Sequence, residues 1–211
     1  MMRQTLRLMV CSAALLAANP LAALEFSDIA NEGEIKYLKN RPDPGAYSYE
    51  SRVTISPQSL DSGVVSIATC HRQLDPIRKV VIVFNENRIK KITVKSLEKM
   101  NSAEVKDNRV TLTDVERGAS ICIDLESRAL DKVSPEQYTL NAGPLMRRYF
   151  DGYLPMSAVL RIDWPKNMLM LEKTFPVAQD GVKIAQGNDG VQLDMIFAGR
   201  MTAQIHLKKP Q

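Results

Sequence analysis

From Tyr47 to the end of the chain, apolar and polar residues alternate with a period of two, the repeat of a strand with one buried face. Val53 and Ile55 alternate with polar neighbours over Arg52 to Ser56, a turn over Pro57 to Gly63 follows, and Val64 to Cys70 resumes the pattern. Val80-Val81-Ile82-Val83-Phe84 is an unbroken apolar run between turn residues and predicts a central strand covered on both faces. Asn85-Glu86-Asn87 predicts a hairpin turn into Arg88 to Lys95, with Ile92 and Val94 inward. Two more strands follow, Arg109 to Val115 with Val110 and Leu112 inward, and Ala119 to Leu125 with Ile121, Ile123 and Leu125 inward. Further on, Met156, Ala158, Leu160, Ile162 and Trp164 share one face of a strand that Pro165 stops. Met168 to Lys173, Val182 to Gln186, Val191 to Phe197 and Met201 to Leu207 predict a closing meander. About ten short strands with little helix argue for an all-β antiparallel sandwich, as one unit or as two tandem sub-domains.

Two stretches depart from this period. Residues 24–46 hold a short helical pattern over Asp28 to Leu38, interrupted by Gly33, and end in Arg41-Pro42-Asp43-Pro44-Gly45. They predict an arm and linker outside the core. Residues 141–155 place apolar side chains at 145, 149 and 153 and at 146, 150 and 154, with Pro144 before them and Pro155 after. That spacing predicts a short amphipathic helix between a first β-rich half, 47–140, and a C-terminal half, 156–211.

The first 23 residues have a different character. Arg3 and Arg7 precede an apolar run from Leu8 to Ala18, and Pro20-Leu21-Ala22-Ala23 supplies a breaker and small residues. This predicts a signal peptide cleaved after Ala23. The apolar run is far shorter than the roughly 20 residues that span a bilayer, so the mature chain is not expected to be an integral membrane protein. Lipidation at Cys11 does not fit, because Val10 is bulky and the apolar run continues past the cysteine. The expected location is the periplasm or the exterior. In such an oxidising compartment the two remaining cysteines, Cys70 and Cys122, predict a disulfide. Alternation puts both on outer faces, so the bridge should join neighbouring strands or a strand and a loop. The immunoglobulin inter-sheet pin is excluded, because the only tryptophan, Trp164, follows both cysteines.

Charge and composition narrow the function classes. A net charge of +4 falls to +2 once Arg3 and Arg7 leave with the signal, too little for a dedicated nucleic-acid binder. No cofactor motif is present. His71 and His206 are too far apart in sequence for a local zinc motif, and Met168 and Met170, conceivable Cu(I) ligands, read more simply as core filling. A hydrolytic set can be drawn from His71, Asp75 and a hydroxyl of Ser66, Thr69 or Ser120. No G-x-S-x-G elbow supports it, and a solvated loop histidine is the simpler reading. Arg88, Lys90, Lys91, Lys95 and Lys99 read as the lysine guard of an edge strand.

The 141–155 segment is the best lead, with Arg147, Arg148, Tyr149, Phe150 and Tyr153 as binding candidates. Aromatic faces supply contact area, and arginines orient a carboxylate or phosphate. Three functions follow in order of preference. The first is a non-enzymatic exported β-sandwich that binds another cell-envelope component. The second is a carrier of a small amphiphile held between the sheets, with Arg147 or Arg148 at its head group. The third is an envelope hydrolase using His71 and Asp75. The carrier requires an apolar cavity beneath the segment, the binding module an exposed apolar patch, and the hydrolase a histidine bonded to both a hydroxyl and Asp75.

Overall fold

The computed structural model describes residues 26–40, 45–149 and 152–210, so the segment expected to be a signal peptide, residues 41–44 of the expected linker and Phe150 lie outside the described residues. The strands run β1 (Ile35–Tyr37), β2 (Ser48–Thr54), β3 (Val64–Leu74), β4 (Ile77–Val83), β5 (Ile89–Glu98) and β6 (Ser102–Lys106). Then come β7 (Arg109–Val115), β8 (Ala119–Arg128), β9 (Leu130–Lys132), β10 (Gln137–Leu145), β11 (Arg148–Tyr149) and β12 (Gly152–Tyr153). The series ends with β13 (Met156–Asp163), β14 (Met170–Phe175), β15 (Val182–Gln186), β16 (Gly190–Gly199) and β17 (Met201–Lys208). A four-residue helix, α1 (Ser59–Ser62), fills the predicted turn before β3. The fold is all-β and sandwich-like, with more strands than the alternation alone separates.

One large sheet in the order β1-β16-β13-β2-β3-β8-β5, with β15 also on β16, forms the frame. Its inner face carries Val53 and Ile55 from the β2 segment, Met156 to Ile162 at alternate positions of β13, and Val191 to Phe197 at alternate positions of β16. A four-stranded sheet, β14-β17-β10-β9, packs Leu140, Ile205 and Leu207 against them. A three-stranded sheet, β4-β7-β6, packs Val110 and Leu112 against Ile121, Ile123 and Leu125 of β8. Two apolar cores therefore lie side by side on one face of the large sheet, and Tyr47 and Ile67 touch both. Parallel pairing of β2 with β13 joins strands from before and after residue 141 in one sheet.

The predicted inward faces of β2, β7, β8, β13, β16 and β17 are the observed ones. Cys70 and Cys122 are bonded, directly opposite each other on the outer face of neighbouring strands β3 and β8. The lysine-rich strand β5 is an edge of the large sheet.

Several expectations are corrected by pairing between distant segments. The N-terminal stretch is not an arm: β1 pairs with β16, and Ala30 exchanges backbone hydrogen bonds with Tyr153. Gly199 permits this, because a Cβ there would collide with the Glu34 carbonyl. The apolar run at 80–84 is not a central strand. It forms the end of β4, an edge of the small sheet, and only its inner residues are covered. Asn85 to Asn87 is no hairpin turn, since β4 and β5 belong to different sheets. Nor do the C-terminal strands form a single meander, since β17 leaves β16 for the four-stranded sheet.

The predicted helix over 141–155 is absent from its described residues. Residues up to Leu145 continue β10, which bulges between Ala142 and Leu145 against β17, and β11 and β12 form a small antiparallel pair. A helix of about ten residues is marginal in water, and this one would contain Gly152 and several aromatics that favour strands. Backbone pairing to β17 and Ala30 supplies what the helix could not.

Candidate functional site

The inner face of the large sheet is apolar over both cores and polar between them. On β2 and the residue before it, Tyr47, Tyr49 and Ser51 precede Val53 on the same face. On β3, Val65 and Ile67 are followed on that face by Thr69 and His71. Register brings Tyr49 opposite His71 and Ser51 opposite Thr69. Thr69 donates its hydroxyl proton to the Ile123 carbonyl at 3.2 Å. The result is a polar seam of tyrosines, hydroxyls and one imidazole.

His71 is 6% exposed and sits in this seam. That corrects the solvated-loop reading: β3 extends to Leu74, so His71 is a strand residue with inward parity. Its Nδ1 lies 2.6 Å from the Tyr47 hydroxyl, and the Tyr49 ring meets the imidazole edge-on with centroids 5.1 Å apart. Nε2 is buried without a hydrogen-bond partner among the described residues. Burial pushes the imidazole down to about 4 and pushes the Tyr47 and Tyr49 phenols up. Both partners of the short bond are therefore neutral at pH 7.

Arg147 closes one end of the seam. Its guanidinium lies 5.8 Å over the Tyr47 ring, donates to the Pro155 carbonyl at 3.1 Å and pairs with the Asp75 carboxylate. A cleft of about 130 Å³ opens beside it, lined among others by Gln73, Asp75, Pro76, Arg117 and Pro155. His71 and Asp75 do not form a catalytic pair: Tyr47 holds the first and Arg147 the second. Among the described residues no group of three or more His, Cys, Asp or Glu is placed to hold a metal ion.

The five binding candidates separate. Arg147 is built into the seam. Arg148 and Tyr149 stand on β11 and are exposed, Tyr149 to 44%, with Met146 beside them at 40%. Tyr153 is buried with Ala30 and Ala198, and its hydroxyl donates to Glu32 at 2.7 Å, so it anchors the β11-β12 pair instead of presenting a face. Phe150 lies outside the described residues. The Leu154 amide donates to the Arg147 carbonyl and closes the base of the excursion.

Tyr47 and Tyr49 were missed in the sequence, although a signal was there. Positions 47, 49, 51, 53 and 55 have one parity, and the inward Val53 and Ile55 carry the tyrosines inward with them. The same extension from Val65 and Ile67 reaches His71.

No protein-family model matches the sequence, and no curated protein does. Among solved structures, the chain is similar to an M1 zinc metallopeptidase from Deinococcus radiodurans, with 9% identity and a TM-score of 0.40. The same values hold for a mutant of that peptidase bound to a Tyr-Ser-Ala substrate. In both cases the similarity covers 85% of this chain, which spans 43% of the peptidase chain.

Proposed function

We propose that the protein is a non-enzymatic binding module of the cell envelope, which contacts an envelope partner through the β11-β12 excursion. The observation that carries this reading is the division of labour within that excursion. Arg147 and Tyr153 are tied to the body of the fold, while Met146, Arg148 and Tyr149 are exposed to solvent beside them. An aromatic ring and a guanidinium supply contact area and charge, and strands tied to the body of the fold spare the main chain most of its ordering cost on binding. The N-terminal basic and apolar pattern and the Cys70–Cys122 bridge support an exported location.

The carrier reading is less well supported. The cleft beside Arg147 is small, and a second one of about 310 Å³ is an open groove lined by Glu86, Lys90, Lys91 and Asp107, among others, sharing no residue with the excursion.

Native mass spectrometry of the mature protein purified from its own envelope tests the proposal. The expected result is a chain shortened at the signal cleavage site, with a protein adduct that is lost in Arg148→Ala/Tyr149→Ala. A small molecule released on denaturation, or an adduct indifferent to that double substitution, overturns it.

A further inference from the structure

The outer face of the large sheet holds its charges in two kinds of arrangement. Among the described residues, three ion pairs there match one cation to one carboxylate: Arg72 with Glu50 at 3.3 Å, Lys91 with Glu126 at 3.8 Å and Lys95 with Asp124 at 3.5 Å. A fourth cluster has two cations for one carboxylate. Parallel register sets Arg161 of β13 directly opposite Arg52 of β2, both on the outer face, and Asp163 of β13 bonds to both. Asp163 accepts from Arg52 Nε on Oδ2 at 2.6 Å and from Arg161 Nε on Oδ1 at 3.0 Å. Like charges directly opposite in a sheet repel and destabilise it. A single arginine would satisfy Asp163 with both carboxylate oxygens, so the second adds repulsion and one uncompensated positive charge.

The cluster is built to keep its geometry. The Asp163 side chain is 22% exposed, against 61% for Arg52 and 53% for Arg161, and the Asp163 carbonyl accepts from the Ile55 amide at 2.9 Å. Partial burial pushes the Asp163 carboxyl up, but hydrogen bonds from Arg161 and Arg52 outweigh it and hold the group below the usual carboxylate range. Asp163 therefore stays ionised and fixes each guanidinium through Nε. Among the described residues neither guanidinium makes another hydrogen bond, so two sets of Nη–H donors remain on strands about 5 Å apart. Thr54, opposite Asp163, and Ser66, opposite Thr54, add hydroxyls to the same face, and Ala68 opposite Arg52 adds little height beside the pair. Two donor forks and one excess charge are the complement of an anion with several oxygens. A terminal phosphoryl group has three oxygens in a tetrahedron and a charge of about −1.5 to −2 at pH 7, so it can accept from both forks at once. The neighbouring ion pairs are balanced, which confines the attraction to one such group.

We infer that Arg52 and Arg161, held by Asp163, form a binding site for a terminal phosphoryl group on the outer face of the large sheet. The site shares no residue with the β11-β12 excursion. The probe is phenyl phosphate, titrated into the purified protein with the arginine Nε–H resonances followed by NMR and the affinity measured by calorimetry. Expected are shifted Arg52 and Arg161 signals, and affinity about tenfold weaker in Arg161→Gln, the effect of losing one charged fork. Arg52→Gln should weaken binding by a similar factor and carries the test should Arg161→Gln fold poorly. Arg72→Gln, which breaks a balanced pair on the same face, should bind normally. Cosedimentation with phosphatidylcholine vesicles containing phosphatidic acid then distinguishes the sources. Arg161-dependent binding to the vesicles assigns the phosphoryl group to a lipid head group, and binding of phenyl phosphate without binding to the vesicles assigns it to a soluble phosphate ester. Unmoved arginine signals, an affinity for acetate equal to that for phenyl phosphate, or equal weakening in Arg72→Gln each overturns the inference. Arg148→Ala/Tyr149→Ala should bind phenyl phosphate normally. Loss of the envelope partner with phenyl phosphate binding intact, or the reverse, separates the two proposals.

Discussion

Arg147 and Arg148 are adjacent in the chain and have opposite fates. The first turns toward the fold, lies over Tyr47 and pairs with Asp75, while the second stands exposed on β11 beside Tyr149. The Tyr47–His71–Arg147 seam and the Met146–Arg148–Tyr149 surface are thus built from similar residue types with different consequences. In the seam, removing the Tyr47 hydroxyl or the His71 imidazole leaves a buried partner, so substitutions there should register as stability. On the exposed surface water replaces most of what is lost, so substitutions should register weakly in stability and mainly when a partner is present.

The contrast is broken most severely at the disulfide, which ties β3 to β8 next to His71 on the opposite face. Replacing Cys70 and Cys122 by Ala opens a loop with a separation of 52 residues. On the chain-entropy model this should cost about 4 kcal/mol in denaturant unfolding. A loss below about 1 kcal/mol would mean that packing alone holds the seam.

Acid comes next. His71 is held at about 4 when folded against an ordinary 6.5, so between these values the unfolded chain binds the proton that the folded chain refuses. Stability should be independent of this group above pH 6.5, fall as the pH drops toward 4, and level off below, by about 3 kcal/mol in all. Comparing denaturation of the native chain with His71→Phe at pH 7, 5 and 4 isolates the effect from the carboxylates. Parallel pH curves for the two proteins would remove His71 as the cause.

Tyr47→Phe should have a smaller effect. It deletes the hydroxyl and leaves Nδ1 unsatisfied, costing about 1–2 kcal/mol at pH 7 with little change in fold by circular dichroism. A stabilising result would show that the imidazole finds another partner. Last, Arg148→Ala/Tyr149→Ala should move stability by no more than about 0.5 kcal/mol. A larger loss would make the β11-β12 excursion a structural element like the seam, and the contrast between the two regions would disappear.

Much of the fold was legible because alternation is a local property. The inner faces of β7, β8, β13 and β16 follow from residue parity, and the outer placement of the cysteines follows from the same count. The site was less legible. Arg147 and Tyr149 stand out in the sequence, yet the helical spacing of 145–154 conceals that one turns in and the other out. His71 stands out too, but a strand that stops at Cys70 does not carry the inward parity of Val65 and Ile67 forward to it.

What the sequence determined by itself was an all-β chain, which residues share each face, and a cysteine pair on outer faces. Tertiary structure decided what covers those faces. Val80 to Phe84 reads as a buried central strand, yet β4 lies at an edge with Val81 and Val83 exposed, because coverage depends on which distant strand arrives. Leu145 and Tyr153 lie in strands because Met201 and Ala30 offer backbone partners there. Period reports the geometry of a segment with itself, whereas burial, edge status and hydrogen-bond partners are relations between segments far apart in the chain.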